Sequence, residues 1–154
     1  MADSVALLLR KVNAGAVHPL RHLVLREGRP FEESIFSGDE DLSTLHFAAY
    51  DLNGKVCAVV SFFEREHPSL SSPRSYQLRG MASHPELRGR GCAKALLQWS
   101  EEELLSKYGC RLIWCNARQR ATGFYESQSY VLEADPFEIE GIGLHYRMHK
   151  YLKP

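Results

Sequence analysis

The run from Ser75 to Cys115 constrains the fold of this chain more than any other stretch. A β-prone segment, Ser75 to Ser83, leads through Arg88-Gly89-Arg90-Gly91-Cys92-Ala93 into the longest helical pattern, and an apolar run, Arg111 to Cys115, follows it. Between Gly91 and Tyr108, Ala93, Leu96, Leu97, Leu104 and Tyr108 recur at helical spacing. Lys94, Gln98, Glu101, Glu102 and Lys107 take the other faces, and Gly109 is placed to end the helix. A strand, helix, strand crossover requires the second strand to lie parallel to a neighbour, and continuous apolarity marks it as buried. Gly80 inside the first strand reads as a weak point or a bulge.

The rest of the chain fits around this unit. Val5 to Lys11 predicts a strand stopped by Asn13 and Gly15, and Pro19 is placed to head a helix over LRHLVLRE. Gly28 to Leu42 reads as an acidic loop with one helical turn. Asn53-Gly54 between the strand-like runs Thr44 to Tyr50 and Lys55 to Glu64 predicts an antiparallel hairpin. Arg65 to Pro73 is a loop by its prolines and serines. Ala121 to Ser127 predicts a short helix, and Tyr130 to Phe137 and His145 to Leu152 predict strands joined by a glycine-bearing turn. No repeat or linker interrupts the order, so 154 residues read as one domain with one mixed α/β sheet.

Composition excludes several classes. With 44% hydrophobic and 25% charged residues, neither disorder nor a fibrous repeat fits. Nineteen basic side chains cancel nineteen acidic ones, so no overall field favours nucleic acid or an anionic membrane. The four cysteines, Cys57, Cys92, Cys110 and Cys115, form no CxxC pair and read as reduced thiols, which implies a cytoplasmic location. The apolar stretch near the N-terminus, Val5 to Leu9, follows Asp3 rather than basic residues, so neither a secretory signal nor a membrane span is expected.

The loop from Arg88 to Ala93 is the main candidate for chemistry. Amides at the head of a long helix and the positive end of its dipole favour an anion, and glycines let backbone approach a phosphate. A dinucleotide fingerprint would need a third glycine where Lys94 stands, and a Walker loop would need Gly-Lys-Ser/Thr, which is absent.

These residues resemble a known family. Arg88-Gly89-Arg90-Gly91-Cys92-Ala93 matches the R/Q-x-x-G-x-G/A signature of the GNAT superfamily of acyl-CoA-dependent N-acetyltransferases, in its small stand-alone bacterial form. Trp114-Cys115-Asn116-Ala117-Arg118 and Gly123-Phe124-Tyr125-Glu126 look like that family's fifth strand and its short Phe-Tyr helix. The resemblance implies an α/β (α+β) fold, with a mixed, mostly antiparallel central sheet of about seven strands, a central V-shaped splay, and about four flanking helices. It implies acetyl-CoA as co-substrate, with its pyrophosphate on the amides of Arg88, Gly89, Arg90, Gly91, Cys92 and Ala93. Its pantetheine arm would lie along the backbone of Met81, Ala82 and Ser83, with Asn116 on the other side. The Met81 amide would face the acetyl carbonyl, and Tyr125 would lie near the sulfur as general acid.

The implied chemistry is direct attack of a primary amine on the thioester in a ternary complex, and no acyl-enzyme is needed. The acceptor is a small-molecule or peptide amine, received between the Gly15 to Leu42 region and the Glu138 to His145 turn. Some relatives carry a glutamate base where this chain has Gln77, so the base is open among Glu64, Glu66 and His145. Ser129 stands where relatives often have glycine. Cys92 reads as a small-residue filler, and Cys115, Trp99 and Trp114 as packing. His145 and His149 share a strand face without a third ligand, so no metal is expected. Arg118 and Arg120 are either solvated or near the CoA 3′-phosphate. The acidic run from Glu32 to Asp41 is either a solvated surface or a field drawing in a cationic acceptor. Two other classes stay open: a non-catalytic acyl-CoA-binding module, and a nucleotide-dependent enzyme of another fold. The terminal hairpin offers an edge for a homodimer.

Overall fold

In the computed structural model, which describes residues 6–133 and 135–154, the chain falls into two compact units that interleave along the sequence. One comprises Met1–Phe63 and Gly80–Glu103, the other Glu64–Arg79 and Leu104–Pro154. The chain is mixed α/β, and its described residues form eight strands in one mostly antiparallel sheet and three α-helices, one fewer than the sequence suggested. Three short 3-10 turns accompany them. No helix among the described residues is long and apolar enough to cross a membrane.

The first unit holds β1 (Leu8–Val12), α1 (Ala14–Leu25), β2 (Leu45–Tyr50) and β3 (Val56–Glu64, up to Phe63). The expected start of β1 at Val5 lies outside the described residues. As expected, β1 stops before Asn13, which also opens α1, because its side chain accepts the Ala16 amide at 3.2 Å as an N-cap. Pro19 therefore sits inside the helix, not at its head, and removes one helical bond. The helix survives because Val17 and Leu20 are buried against Ala48, Val59 and Ala82. β1–β2 and β2–β3 are antiparallel, and the Asn53-Gly54 hairpin is confirmed, with a register shift at Ala49/Tyr50.

β4 (Ser75–Ser83) begins in the second unit and ends in the first, while α2 (Cys92–Tyr108) begins in the first and ends in the second. The second unit contains β5 (Leu112–Arg118), α3 (Thr122–Ser127), β6 (Val131–Leu132), β7 (Phe137–Ile139) and β8 (Gly143–Tyr151). The strand expected over Tyr130 to Phe137 is thus two short strands, because Pro136 and a left-handed Asp135 (φ 54°) interrupt it. Both pair with β8, so β8 has β5 on one side and β6 and β7 on the other.

As the crossover required, β4 and β5 are parallel, with registered pairs from Ser75↔Leu112 to Leu78↔Cys115. Beyond them β4 runs on to Ser83, and β5 runs on to Arg118 paired with β8.

Candidate acyl-transfer site

In the first unit, α2 is entered through Arg88, Gly89, Arg90 and Gly91, all exposed. Gly89 and Gly91 hold φ of 81° and 78°, a left-handed conformation that favours glycine, and no atom stands within 4 Å of where either would carry a side chain. The first helical bond of α2 is Ala95 N–H to the Gly91 carbonyl at 2.9 Å, so the amides ahead of it lack helical acceptors. Cys92 is buried, and the Cys57 thiol, which donates to the Ala49 carbonyl at 3.2 Å, is pushed up to about 12 by burial and by its neighbour Cys92. Neither thiol has the features of a nucleophile.

Gly80, immediately before Met81, has φ 67°, and a β-carbon there would lie 2.6 Å from Arg21 Nε and 3.3 Å from Phe36. Only glycine fits this turn of β4. Arg21 is fully buried, donating to both Asp39 oxygens at 2.7 and 2.9 Å, to Ser61 Oγ at 2.8 Å and to the Ser34 carbonyl. Burial pushes the Asp39 carboxyl up, but bonds from Arg21, the Phe36 amide and His18 outweigh it and hold the group below its ordinary range. Asp39 therefore belongs to neither reading of the acidic run: it is 3% exposed and neutralised by Arg21, not a solvated or steering charge.

In the second unit, β5 and β8 pair so that Trp114, Asn116 and Arg118 share a face with His149, Arg147 and His145. Asn116 Oδ1 is buried without a hydrogen-bond partner. Tyr125 is 6% exposed, packed edge-on against Phe124 and Tyr130, and its phenol is pushed well above its ordinary value by burial and then by Cys115.

The candidate bases separate clearly. Glu64 is partly exposed beside Arg74 at 3.6 Å, and Glu66 is exposed. His145 is 4% exposed, and its Nδ1 lies 2.8 Å from the Gly143 carbonyl, which only accepts. That nitrogen must therefore carry the proton, leaving Nε2 of the neutral ring as a lone pair. Gln77 accepts from Arg65 at 3.1 Å and is unfit as a base.

One cluster escaped the sequence reading. His149 meets not His145 but Glu133, which also receives His67, at 2.9 and 2.8 Å. Their ligand atoms lie within 4.8 Å of one another, a spacing open to a metal ion. His67 Nδ1, however, accepts the Ser69 and Leu70 amides at 3.0 and 2.9 Å, so Nε2 carries the proton donated to Glu133. A metal would have to displace that proton and break the turn. No local spacing signals this trio, since 66 residues separate His67 from Glu133.

The comparisons with known proteins give the family. The chain belongs to the acetyltransferase (GNAT) family, whose model matches residues 17–130. It is 28% identical over 145 residues to the uncharacterized N-acetyltransferase YitI of Bacillus subtilis, covering 94% of this chain and 96% of that protein. Among solved structures, a putative N-acetyltransferase from Lactobacillus plantarum superposes with a TM-score of 0.78 at 19% identity, over 96% of this chain and 99% of that one. A mutant form of the spermidine N-acetyltransferase SpeG from Vibrio cholerae gives 0.70 at 18% identity, over 94% and 93%. At these identities the structural matches establish the fold alone.

Proposed function

We propose that the whole chain, residues 1–154, is a cytoplasmic N-acetyltransferase that moves acetyl from acetyl-CoA to a small-molecule or peptide primary amine by direct attack in a ternary complex. The amides of Arg88 to Ala93 hold the pyrophosphate, the backbone of Met81, Ala82 and Ser83 receives the pantetheine arm, and Asn116 binds that arm. The observation that carries the reading is Asn116 Oδ1, a buried acceptor with no partner at the level where β5 has passed its last registered pair with β4. A buried polar atom left unbonded costs about 1–3 kcal/mol, and an amide N–H of the arm removes that cost. The open, left-handed glycines ahead of α2 suit a phosphate for the same reason of fit.

The chemistry follows from the residues. Amine attack builds negative charge on the thioester oxygen, and a fixed donor such as the Met81 amide strengthens as that charge grows. Tyr125 gives the departing thiolate its proton. A phenol pushed above its ordinary value stays protonated until bond breaking creates a base beside it. His145 takes the proton from the acceptor ammonium through Nε2.

A second reading, a CoA-binding module without turnover, draws support from Gln77, which occupies the base position of some relatives and is tied to Arg65. Free-thiol release from acetyl-CoA across an amine panel, beside CoA binding by thermal shift, separates the two. The enzyme reading predicts amine-dependent thiol release, and CoA binding with no release from any amine would favour the module.

A further inference from the structure

Arg147 occupies an unusual setting on β8. Its guanidinium lies over the Trp114 ring at 5.8 Å and the Phe137 ring at 5.7 Å, and its Nε is buried with no hydrogen-bond acceptor. Among the described residues no carboxylate pairs with it. The carboxylate nearest in sequence pairing, Glu133, is already shared by His67 and His149. Arg147 sits directly across from Asn116, whose Oδ1 is also unpartnered, and two residues from His145 on the same face. Phe137 packs against both, with its ring 6.0 Å from that of His145. An arginine framed by two aromatic rings has its planar fork pre-oriented, and one without an anion wastes charge-assisted bonds that a carboxylate would supply.

We infer that the acceptor of this enzyme is an amine that also carries a carboxylate, docked on Arg147 between Trp114 and Phe137 with its amino group toward His145. This rests on the acetyltransferase reading above and narrows its substrate class to amino acids or short peptides and away from polyamines. The acid that β8 meets among the described residues of this face, Glu133, is already engaged by His67 and His149 and offers a polyamine little. The pyrophosphate of CoA, on that reading, is taken by the head of α2, and the arm that meets Asn116 is uncharged.

The test compares amines that differ only in the anion. The twenty amino acids, β-alanine and γ-aminobutyrate are each set against their carboxamides, with spermidine as the polyamine, and kcat/KM is read from thiol release. The expected result is at least one acid preferred over its amide by about tenfold to a hundredfold. In Arg147→Gln that ratio collapses toward one, and Arg147→Lys restores part of it. Amides or spermidine preferred by the unaltered protein would overturn the inference while leaving acetyl transfer intact. A loss of CoA affinity in Arg147→Gln without any acid preference would assign the anion to the co-substrate and overturn it equally. If no amine is turned over, the acids are titrated against the protein while Trp114 emission is followed in a Trp99→Phe background. Saturable quenching or shift, abolished by Arg147→Gln, is expected, and no saturable binding by any acid overturns the assignment.

Discussion

Tyr125 and Ser129 show how much a single backbone or side-chain position decides in the short helix after β5. Tyr125 is buried against Phe124 and Tyr130, so removing its hydroxyl leaves the packing of both rings in place. Tyr125→Phe is expected to lower kcat about a hundredfold or more, with CoA affinity nearly unchanged by titration. Unchanged turnover with chemistry rate-limiting would remove the residue from its role. Ser129 holds φ 71° at the end of α3, a conformation that costs a non-glycine residue about 1–2 kcal/mol. Ser129→Gly should therefore stabilise the protein by about 1 kcal/mol in urea melts, with activity intact. The departure from the family's glycine was visible in the sequence, and its cost is now explained by the backbone. Gly80 was visible only as a bulge, because the partner that forbids a side chain there, Arg21, comes from a distant helix.

At the level of elements, α1, β2, β3 and the acidic loop are joined through a buried polar network rather than through apolar contacts alone. His46 donates from Nε2 to the Asp39 carbonyl at 2.9 Å, and its Nδ1 meets Ser61 at 2.6 Å. Burial pushes the His46 imidazole below its ordinary 6.5, so the unfolded chain takes up a proton that the folded one refuses. Stability should be full above pH 6.5 and fall as the pH drops toward the lower folded value. A second fall is expected below about pH 4, where Asp39 and Glu133, both held under their ordinary 3.8 and 4.5, must protonate. Urea melts across pH 3 to 8 would show two steps, and His46→Gln should flatten the upper one. A flat profile above pH 5 would contradict this account.

The same elements mark the limits of reading a sequence. The hairpin, β4 and α2 were legible because turn chemistry and periodicity are local. Pro19 misplaced the start of α1 because tertiary burial of Val17 and Leu20 outweighed its lost bond. Asp39 looked like surface because nothing local announces an arginine 18 residues away. The His67, Glu133 and His149 trio was hidden for the same reason.

On the scale of the whole molecule, the co-substrate of the proposed reaction is expected to bind the folded chain and not the unfolded one. A ligand that binds only the folded chain stabilises it by about 2.7 kcal/mol at a hundred times its Kd. For a chain of this size that corresponds to a rise in Tm of roughly 5–11 °C. ATP and NAD at equal concentration should give none, and stabilisation by either but not by CoA would point to a different class of enzyme.

A crystal structure of the chain with acetyl-CoA bound tests the central claim most directly. The diphosphate is expected on the amides of Arg88 to Ala93, an arm amide on Asn116 Oδ1, and the thioester sulfur within hydrogen-bond reach of the Tyr125 hydroxyl. A ligand lodged elsewhere, or bound with its sulfur far from Tyr125, would contradict it.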